Sequence, residues 1–295
     1  MSLEFKFGAT HPGISNHNGG LSVRLMNPAC GQATETWMLG KGIYSRQGDF
    51  HLVEAGCYAV GAASLSVNAD TLSAATQRLY RQLLDEYPQR SIYRIWHFVP
   101  DINETAPGQL ENYRSFCHGR CQAFDQYAED ERHTKTPAAS AVGTPGDHLT
   151  IVYLAGDPPV SHIENPRQTP ACRYPAIYGP RPPVFSRATS VKDKNLPTLF
   201  ISGTASILAS ETIGDTIEEQ LSITLENLAI ITAQATEAHP GKRRVRTYLR
   251  HAPDYGYVKA ELEKRYLSPQ DEATYIVADI CRKELLVEIE VTIGD

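Results

Sequence analysis

The chain has 295 residues, 41% hydrophobic and 21% charged, which is the composition of a folded globular protein. A formal net charge of −6 gives no electrostatic reason to expect nucleic acid as a partner. No stretch reaches the roughly 18 apolar residues of a membrane span, and residues 1–10 carry no secretory pattern. The six cysteines are scattered, so we expect reduced thiols and a cytoplasmic protein that binds no membrane.

The first half of the chain alternates between predicted helices and strands. Residues 1–66 are predicted to form short strands and turns. The helical spacing of Leu72, Leu79 and Leu83 predicts a helix over residues 69–87, which Pro88 ends. The later elements predicted in this half are a strand over 91–99, a helix over 109–127, a loop over 129–147 and a strand over 148–155.

The second half follows a proline-rich connection and is more regular. Its predicted elements are a strand over 199–206, a helix over 216–238, a strand over 244–251, a helix over 255–266, and strands over 274–281 and 285–293. We therefore expect an α+β fold. Its parts would be an amino-terminal half over 1–156, a connection over 157–184 and a carboxyl-terminal domain over 185–295.

The two halves repeat one pattern. In each half a long helix is followed by a strand with an aromatic residue and an arginine, then by Pro-Asp and a second helix. The Pro-Asp pairs are Pro100–Asp101 and Pro253–Asp254, which are 153 residues apart. Two readings stay open, a chance similarity between two α+β units and an internal duplication of one sheet-plus-helices unit.

The segment before the carboxyl terminus carries alternating glutamates. Side chains alternate between the faces of a strand, so Glu288 and Glu290 share a face opposite Val287 and Ile289. The pattern alone favours a solvated outer face for these glutamates. Resemblance to known families gives Glu288 a different interpretation.

Part of the second half resembles the RidA/YjgF family, which forms a sheet backed by two helices and usually assembles as trimers. The resemblance lies in Leu199–Ser206, in Gln220 and Glu226–Asn227 of the helix, and in Leu286–Glu290. RidA-type imine deaminases carry a carboxylate-binding arginine on the strand before the final glutamates. Ala273 stands at that position here, which argues against imine deamination.

A longer resemblance, from about Tyr93 onward, is to the chorismatase family, in which RidA-like architecture is built into one chain. The segments that carry it are Arg94–Asn103, Tyr113–Phe124, Phe185–Thr189, Ser202–Ser206 and Ala278–Arg282 leading to Glu288. This resemblance implies two RidA/YjgF-like (chorismate-mutase-like) units, and cofactor-free hydrolysis of chorismate to pyruvate and 3-hydroxybenzoate. Other products left open are a dihydroxycyclohexadiene acid and 4-hydroxybenzoate.

The resemblance and the chemistry of chorismate together nominate site residues. The resemblance places the general acid at Glu288. It also implies that Cys281 lies in the ring pocket and steers the product, because the branch that forms 3-hydroxybenzoate resembles this sequence in having a cysteine seven positions before the glutamate. Chorismate has two carboxylates, which arginine binds with two parallel hydrogen bonds. The substrate-binding candidates are Arg120, Arg187, Arg181, Arg282, Tyr178, Ser186 and Thr204.

Other sequence features bear on the product, on metal and cofactor binding and on the alternative function. Ser210 stands where many relatives have a histidine, which leaves the product branch open. Cys117, His118 and Cys121 lie at helical spacing but lack a fourth ligand, so we expect no metal. A Gly-x-Gly-x-x-Gly or phosphate-loop motif is absent, so no nucleotide cofactor is expected. A non-enzymatic module that binds small metabolites is the alternative function, and a monomer or a trimer is compatible with the sequence.

Overall fold

The computed structural model describes residues 2–38, 40–86, 90–126, 136–193, 199–235 and 241–294. Within these ranges the chain forms four α-helices and eighteen β-strands. The helices are α1 (Leu72–Glu86), α2 (Asn112–Phe124), α3 (Ile217–Gln234) and α4 (Tyr255–Arg265). None of these described helices is long and apolar enough to cross a membrane.

The strands form three sheets and one small hairpin. The amino-terminal sheet has the order β2-β3-β1-β4 and consists of β1 (Ser2–Lys6), β2 (Gly13–His17), β3 (Gly20–Arg24) and β4 (Thr34–Met38). The first large sheet has the order β5-β6-β7-β10-β8-β9 and consists of β5 (Ile43–Gln47), β6 (Phe50–Ala55), β7 (Tyr58–Ser66), β8 (Ser91–Pro100), β9 (Ala138–Thr144) and β10 (His148–Gly156).

The second large sheet has the order β11-β12-β13-β18-β16-β17. It consists of β11 (Val160–Ile163), β12 (Ala188–Val191), β13 (Leu199–Ala205), β16 (Arg243–Leu249), β17 (Glu272–Val277) and β18 (Val287–Ile293). A short hairpin of β14 (Ile207–Leu208) and β15 (Glu211–Thr212) follows β13.

The two large sheets have the same topology. In the first, β8 and β9 are parallel neighbours, and β10 lies antiparallel between β7 and β8. In the second, β16 and β17 are parallel, and β18 lies antiparallel between β13 and β16. Parallel neighbours need a crossover, which α2 supplies in the first unit and α4 in the second. The α+β fold with two sheet-plus-helices units, predicted from the sequence, is confirmed.

The helices form where amphipathic stripes predict them. Leu221, Leu228 and Ile231 of α3 are buried against the second sheet. A capping box begins this helix, because the Thr216 side chain accepts from the Glu219 N–H while the Glu219 side chain accepts from the Thr216 N–H. Residues 87, 88, 127, 129–135 and 236–238, which belong to predicted helices or a predicted loop, lie outside the described residues.

One predicted loop is partly wrong. The segment 138–144 is strand β9, at the edge of the first large sheet beside β8. It is rich in small residues and is buried along nearly its whole length, so it lacks the alternation that marks a half-exposed strand. A further strand, β11, lies within the segment predicted as the proline-rich connection and pairs with β12.

The inner faces of all three sheets meet in one core. This core contains Phe5 from the amino-terminal sheet, Trp96 from the first large sheet and Tyr248 from the second. The helices instead cover the outer faces, where each unit has a separate apolar cluster. The inner face of β18 therefore lies between two units rather than in water.

Candidate active site

A cavity of about 640 Å³ lies between the two units. This volume is within the range of small-molecule binding sites. The first unit lines it with residues of α2 and β9, among them Arg120 and Ser140. The second unit contributes Arg187, the loop 281–284 and Glu288.

Glu288 lies on β18 at the inner end of this cavity. Its residue is 4% exposed, and Oε1 has no hydrogen-bond partner among the described residues. Burial raises the pKa of the Glu288 carboxyl to about 8, and the negative charge of Glu290 adds to the effect, against the opposing influence of Arg94 and Arg187. Glu288 is therefore mostly a protonated acid at neutral pH, facing a cavity.

The backbone opposite Glu288 is shaped to admit its side chain. The pairing register of β13 with β18 shifts between Ile201 and Thr204, which is a β-bulge. Gly203 lies in this bulge, and a Cβ at residue 203 would be 2.0 Å from Glu288 Oε1. Only glycine leaves room for the carboxyl here, so this position is determined by the site rather than by strand propensity.

Glu290, two residues along the same strand face, has the opposite environment. Arg94 Nη2 donates to Glu290 Oε2 at 2.6 Å, and Arg246 Nη1 lies 3.0 Å from Oε1. Trp96 Nε1 donates to Oε1 at 2.8 Å, and the hydroxyls of Ser140 and Tyr248 donate to Oε2. Although burial raises the pKa of Glu290, these cations and hydrogen bonds lower it overall. Glu290 is therefore ionised beside a protonated Glu288.

Three arginines that line the cavity have buried N–H groups without a hydrogen-bond partner among the described residues. Within the described chain, no hydrogen-bond partner is present for Nε and Nη2 of Arg120, Nε of Arg187 and Nη2 of Arg282, all of which are buried. Arg187 Nε is 3.9 Å from Glu164 Oε2, which is too long for a hydrogen bond. Buried guanidinium nitrogens without partners are costly, and an anionic ligand in the cavity would satisfy them.

Aromatic rings fix two of these guanidinium groups. Arg282 Cζ lies 3.9 Å from the centroid of the Tyr178 ring, and Arg187 Cζ lies 5.7 Å from that of Tyr174. Arg187 Nη2 also donates to the Tyr174 hydroxyl at 2.8 Å. The segment that carries both tyrosines thus holds two arginines against the cavity wall.

Cys281 lines the same cavity. Burial raises the pKa of the Cys281 thiol to about 12, and the nearby Glu288 contributes to the rise. The thiol is therefore neutral and is no nucleophile at ordinary pH.

Six of the nominated residues line the cavity together: Glu288, Cys281, Arg120, Arg187, Arg282 and Tyr178. Three others are not among the lining residues. Arg181 pairs with Asp125, while the hydroxyls of Ser186 and Thr204 donate to the carbonyl oxygens of Thr136 at 2.6 Å and Ser202 at 2.9 Å.

Other features of the site were not found from the sequence. The solvated outer face that alternation favoured for Glu288 and Glu290 is wrong, because that face of β18 meets another sheet. Sequence reasoning also missed Ser140, Gly203 and Tyr113, which line the cavity. Of these, only the glycine inside a strand gave a signal that reasoning from the sequence could have used.

Among the residues that the structure describes, no group of three or more His, Cys, Asp and Glu side chains is arranged to hold a metal ion. Cys117 and Cys121 are buried in α2, and His118 Nδ1 is hydrogen-bonded to the Ser73 hydroxyl at 3.1 Å.

Comparison with known proteins agrees with this architecture. The model of the family described as chorismatase FkbO/Hyg5-like, N-terminal, matches residues 35–155. A crystal structure of a chorismatase superposes with a TM-score of 0.86 at 28% identity, covering 99% of this chain and 92% of that one.

Two curated relatives are from Streptomyces hygroscopicus. A 3-hydroxybenzoate synthase is 36% identical over 225 residues, covering 71% of this chain and 65% of the relative, so the chain spans somewhat less than two thirds of that protein. A chorismatase is 36% identical over 249 residues, covering 80% of this chain and 68% of the relative. The chain belongs to the chorismatase family.

Proposed function

We propose that this chain is a chorismatase that converts chorismate to pyruvate and 3-hydroxybenzoate without a cofactor. The observation that carries the proposal is Glu288, a buried carboxyl with a pKa raised to about 8 that faces a cavity with three incompletely paired arginines. The relatives named chorismatase and 3-hydroxybenzoate synthase support the same substrate and product.

The charges of the cavity suit a dianion. Chorismate carries a carboxylate on the ring and another on its enolpyruvyl group. Arg120, Arg187 and Arg282 offer unpaired N–H donors, and Glu288 adds no negative charge while it is protonated. Substrate carboxylates would therefore accept hydrogen bonds from guanidinium N–H groups that have no partner among the described residues, and existing hydrogen bonds would not have to break.

The proposed reaction begins with proton transfer to carbon. The Glu288 O–H proton moves to the methylene carbon of the enolpyruvyl group, and the π electrons of that double bond form the new C–H bond. The ether carbon becomes an oxocarbenium-like cation, which the new Glu288 carboxylate stabilises. A donor pKa of about 8 keeps most of the enzyme in the active, protonated form at pH 7.

The ring hydroxyl then attacks the cationic carbon. The bond from that carbon to the original ether oxygen breaks, and this oxygen takes up the proton of the attacking hydroxyl and stays on the ring. The bond between the ring and the attacking oxygen then breaks, so that pyruvate leaves with this oxygen as its keto group. The ring carbon that bears the remaining hydroxyl loses its hydrogen as a proton, which balances the proton that Glu288 gave, and the products are pyruvate and aromatic 3-hydroxybenzoate with no net consumption of water. Attack by water would instead release pyruvate and a dihydroxycyclohexadiene acid. Cys281 on the cavity wall supports the aromatic branch, by the family resemblance noted for this position.

The two walls of the cavity come from one chain, which supports the further proposal that a monomer is sufficient for activity. Size-exclusion chromatography with light scattering on active enzyme tests this. A site that works in a single chain predicts activity in the monomer peak, and activity confined to a trimer peak would contradict it.

The experiment that tests the function is pyruvate release from chorismate, followed by coupling to lactate dehydrogenase. Chromatography of the second product against 3-hydroxybenzoate, 4-hydroxybenzoate and the dihydroxycyclohexadiene acid identifies the branch. We expect pyruvate and 3-hydroxybenzoate in equal amounts. Chorismate binding without pyruvate release would favour a non-enzymatic binding module, and a different second product would correct the branch only.

A further inference from the structure

Glu35 on β4 connects the amino-terminal sheet to the charged cluster beside the site by an ion pair. Glu35 Oε2 accepts from Arg246 Nε at 2.8 Å, and Arg246 Nη1 lies 3.0 Å from Glu290 Oε1. The side chains of Glu35 and Arg246 are 10% and 2% exposed. Arg246 is therefore a buried bridge between a carboxylate of the amino-terminal sheet and a carboxylate of β18.

The surroundings hold this bridge in one geometry. Arg246 Cζ lies 4.3 Å from the centroid of the Phe5 ring of β1. Trp37 Nε1 donates to Glu35 Oε1 at 2.7 Å, while Trp96 Nε1 donates to Glu290 Oε1 at 2.8 Å. Each carboxylate thus has an indole donor in addition to the shared arginine, which restricts the guanidinium to a single position.

The four buried charges of this cluster balance. Glu35 and Glu290 are matched by Arg94 and Arg246, and the pairs form one connected network. If Glu35 were neutral, Arg246 would be left with Glu290 as its only charged partner. The positive charge of Arg246 would then weaken the electrostatic effect of Glu290 on Glu288 more strongly.

We propose that Glu35 is a positioning residue for the proposed reaction: by offsetting the positive charge of Arg246, it preserves the electrostatic effect by which Glu290 keeps the neighbouring Glu288 protonated. This inference rests on the proposed function. Glu35 does not line the cavity, so it acts through Arg246 and Glu290 rather than on the substrate. It gives the amino-terminal sheet a role in the chemistry beyond its contribution to the core.

Other groups also face Glu288, and they define what the test must hold constant. Arg94 from β8 and Arg187, which precedes β12, favour the ionised carboxyl, whereas Glu290 favours the protonated one. The other titratable or charged groups around the site come from four places: Tyr248 on β16; Glu111, Tyr113, Arg114 and Arg120 at α2; Tyr174 and Tyr178; and Cys281, Arg282, Lys283 and Glu284 in the loop before β18. None of these is changed in the variants below.

The test is the pH dependence of kcat and KM for pyruvate release, from about pH 6 to about pH 10. Activity needs protonated Glu288, so it is lost as pH rises through about 8 in the unaltered enzyme. In Glu35→Gln, a lower pKa of Glu288 should move this midpoint down by about 0.5 pH unit or more. Glu35→Asp, which keeps the charge, should retain the original midpoint.

Arg246→Gln supplies a test of opposite sign. In this variant Glu290 keeps Arg94 and the neutral donors, so it stays ionised. Because Arg246 no longer offsets the negative charge of Glu290, the pKa of Glu288 should rise and the midpoint should move up. The opposite shifts separate this account from simple damage to packing, which would lower kcat without moving the midpoint. If one of the two variants does not fold, as judged by thermal unfolding, the other carries the test.

The matched control is Asp271→Asn, which also removes a negative charge from an ion pair at β16. Asp271 pairs with Arg243 at 2.8 Å, at the opposite end of the strand from Tyr248, the neighbour of Glu288. This control variant should keep the midpoint of the unaltered enzyme.

The KM of Glu35→Gln should stay within about twofold of that of the unaltered enzyme, because residue 35 is not among the residues that line the cavity. A folded Glu35→Gln with an unmoved midpoint would overturn this inference. Absence of pyruvate release by the unaltered protein would instead overturn the proposed function.

Discussion

The two large units have the same strand order and helix placement, but they put different side chains on the inner face of the central strand. In the first unit, β10 buries Val152 and Leu154 in the core shared by the sheets. In the second unit, β18 buries Glu288 and Glu290 on the corresponding face. The repeated fold forms the walls of the cavity, and the reaction we propose depends on carboxyls that only one of the two equivalent strands carries.

The same comparison explains why the carboxyls differ from each other. Glu290 accepts from side chains of both units, since Arg94 and Trp96 belong to the first and Arg246 to the second. Glu288 faces the cavity at the same boundary, and its Oε1 has no partner among the described residues. One carboxylate therefore joins the units, while the other is left available to a ligand.

The largest expected effect is on Glu288 itself. Glu288→Gln keeps the shape of the side chain but removes the acidic proton, so pyruvate release should fall about 1,000-fold or more. The matched control is Glu54→Gln on β6 of the first unit, an exposed glutamate paired with Arg90, which should retain full activity. If a folded Glu288→Gln enzyme released pyruvate at a normal rate, Glu288 would not be the proton donor, and the carboxyls of β18 would not set that strand apart from β10 in function.

The next effect is on substrate binding at the boundary between the units. Arg120→Leu and Arg187→Leu each remove a cation with unpaired donors from the cavity, and kcat/KM for chorismate should fall about 100-fold or more. Arg181→Leu is the control, because Arg181 pairs with Asp125 and is not among the residues that line the cavity. Equal losses in all three variants would show that the cavity assignment is wrong.

Glu290 should matter for stability as much as for activity. Glu290→Gln leaves Arg94 and Arg246 buried with one fewer carboxylate, and loss of one partner from a buried ion pair costs about 3 kcal/mol or more in the free energy of unfolding. Denaturant unfolding at pH 7 measures this. An unchanged free energy of unfolding would mean that Glu290 does not join the two units as described.

Substitution of Glu288 should have the opposite sign, with an effect on stability that depends on pH. Its pKa is about 8 in the folded protein and 4.5 as an ordinary glutamate, so between these values the unfolded chain loses its proton first. Stability is therefore lost as pH rises through this window. Glu288→Gln lacks this loss, and its free energy of unfolding should exceed that of the unaltered protein by about 4 kcal/mol at pH 8 and by about 1 kcal/mol at pH 5. A difference independent of pH would contradict a raised pKa.

The sequence predicted the fold well where one face of an element is apolar and the other is polar. The helices that became α1 and α3 follow from their leucine spacing, and the similarity of the halves follows from their repeated pattern of elements. Strand β9 could not be found this way, because burial on both sides and its small residues erase any periodic signal.

The site was predictable only in part. The resemblance and the chemistry of chorismate together nominated six residues that line one cavity: Glu288, Cys281, Arg120, Arg187, Arg282 and Tyr178. Spacing could not give the face on which Glu288 lies, since that depends on another sheet packing over β18. Nor could it indicate Glu35, because its partner Arg246 is 211 residues away in the chain.

We propose that the protonated Glu288 delivers its proton to the methylene carbon of chorismate. A reaction in deuterium oxide tests this proton transfer. In deuterium oxide the Glu288 carboxyl carries deuterium, and immediate reduction of the pyruvate by lactate dehydrogenase preserves the label in lactate. Proton transfer from Glu288 predicts one deuterium in the methyl group of each lactate. A methyl group without solvent deuterium would show that the hydrogen comes from the substrate ring, and would contradict a proton donor on the protein.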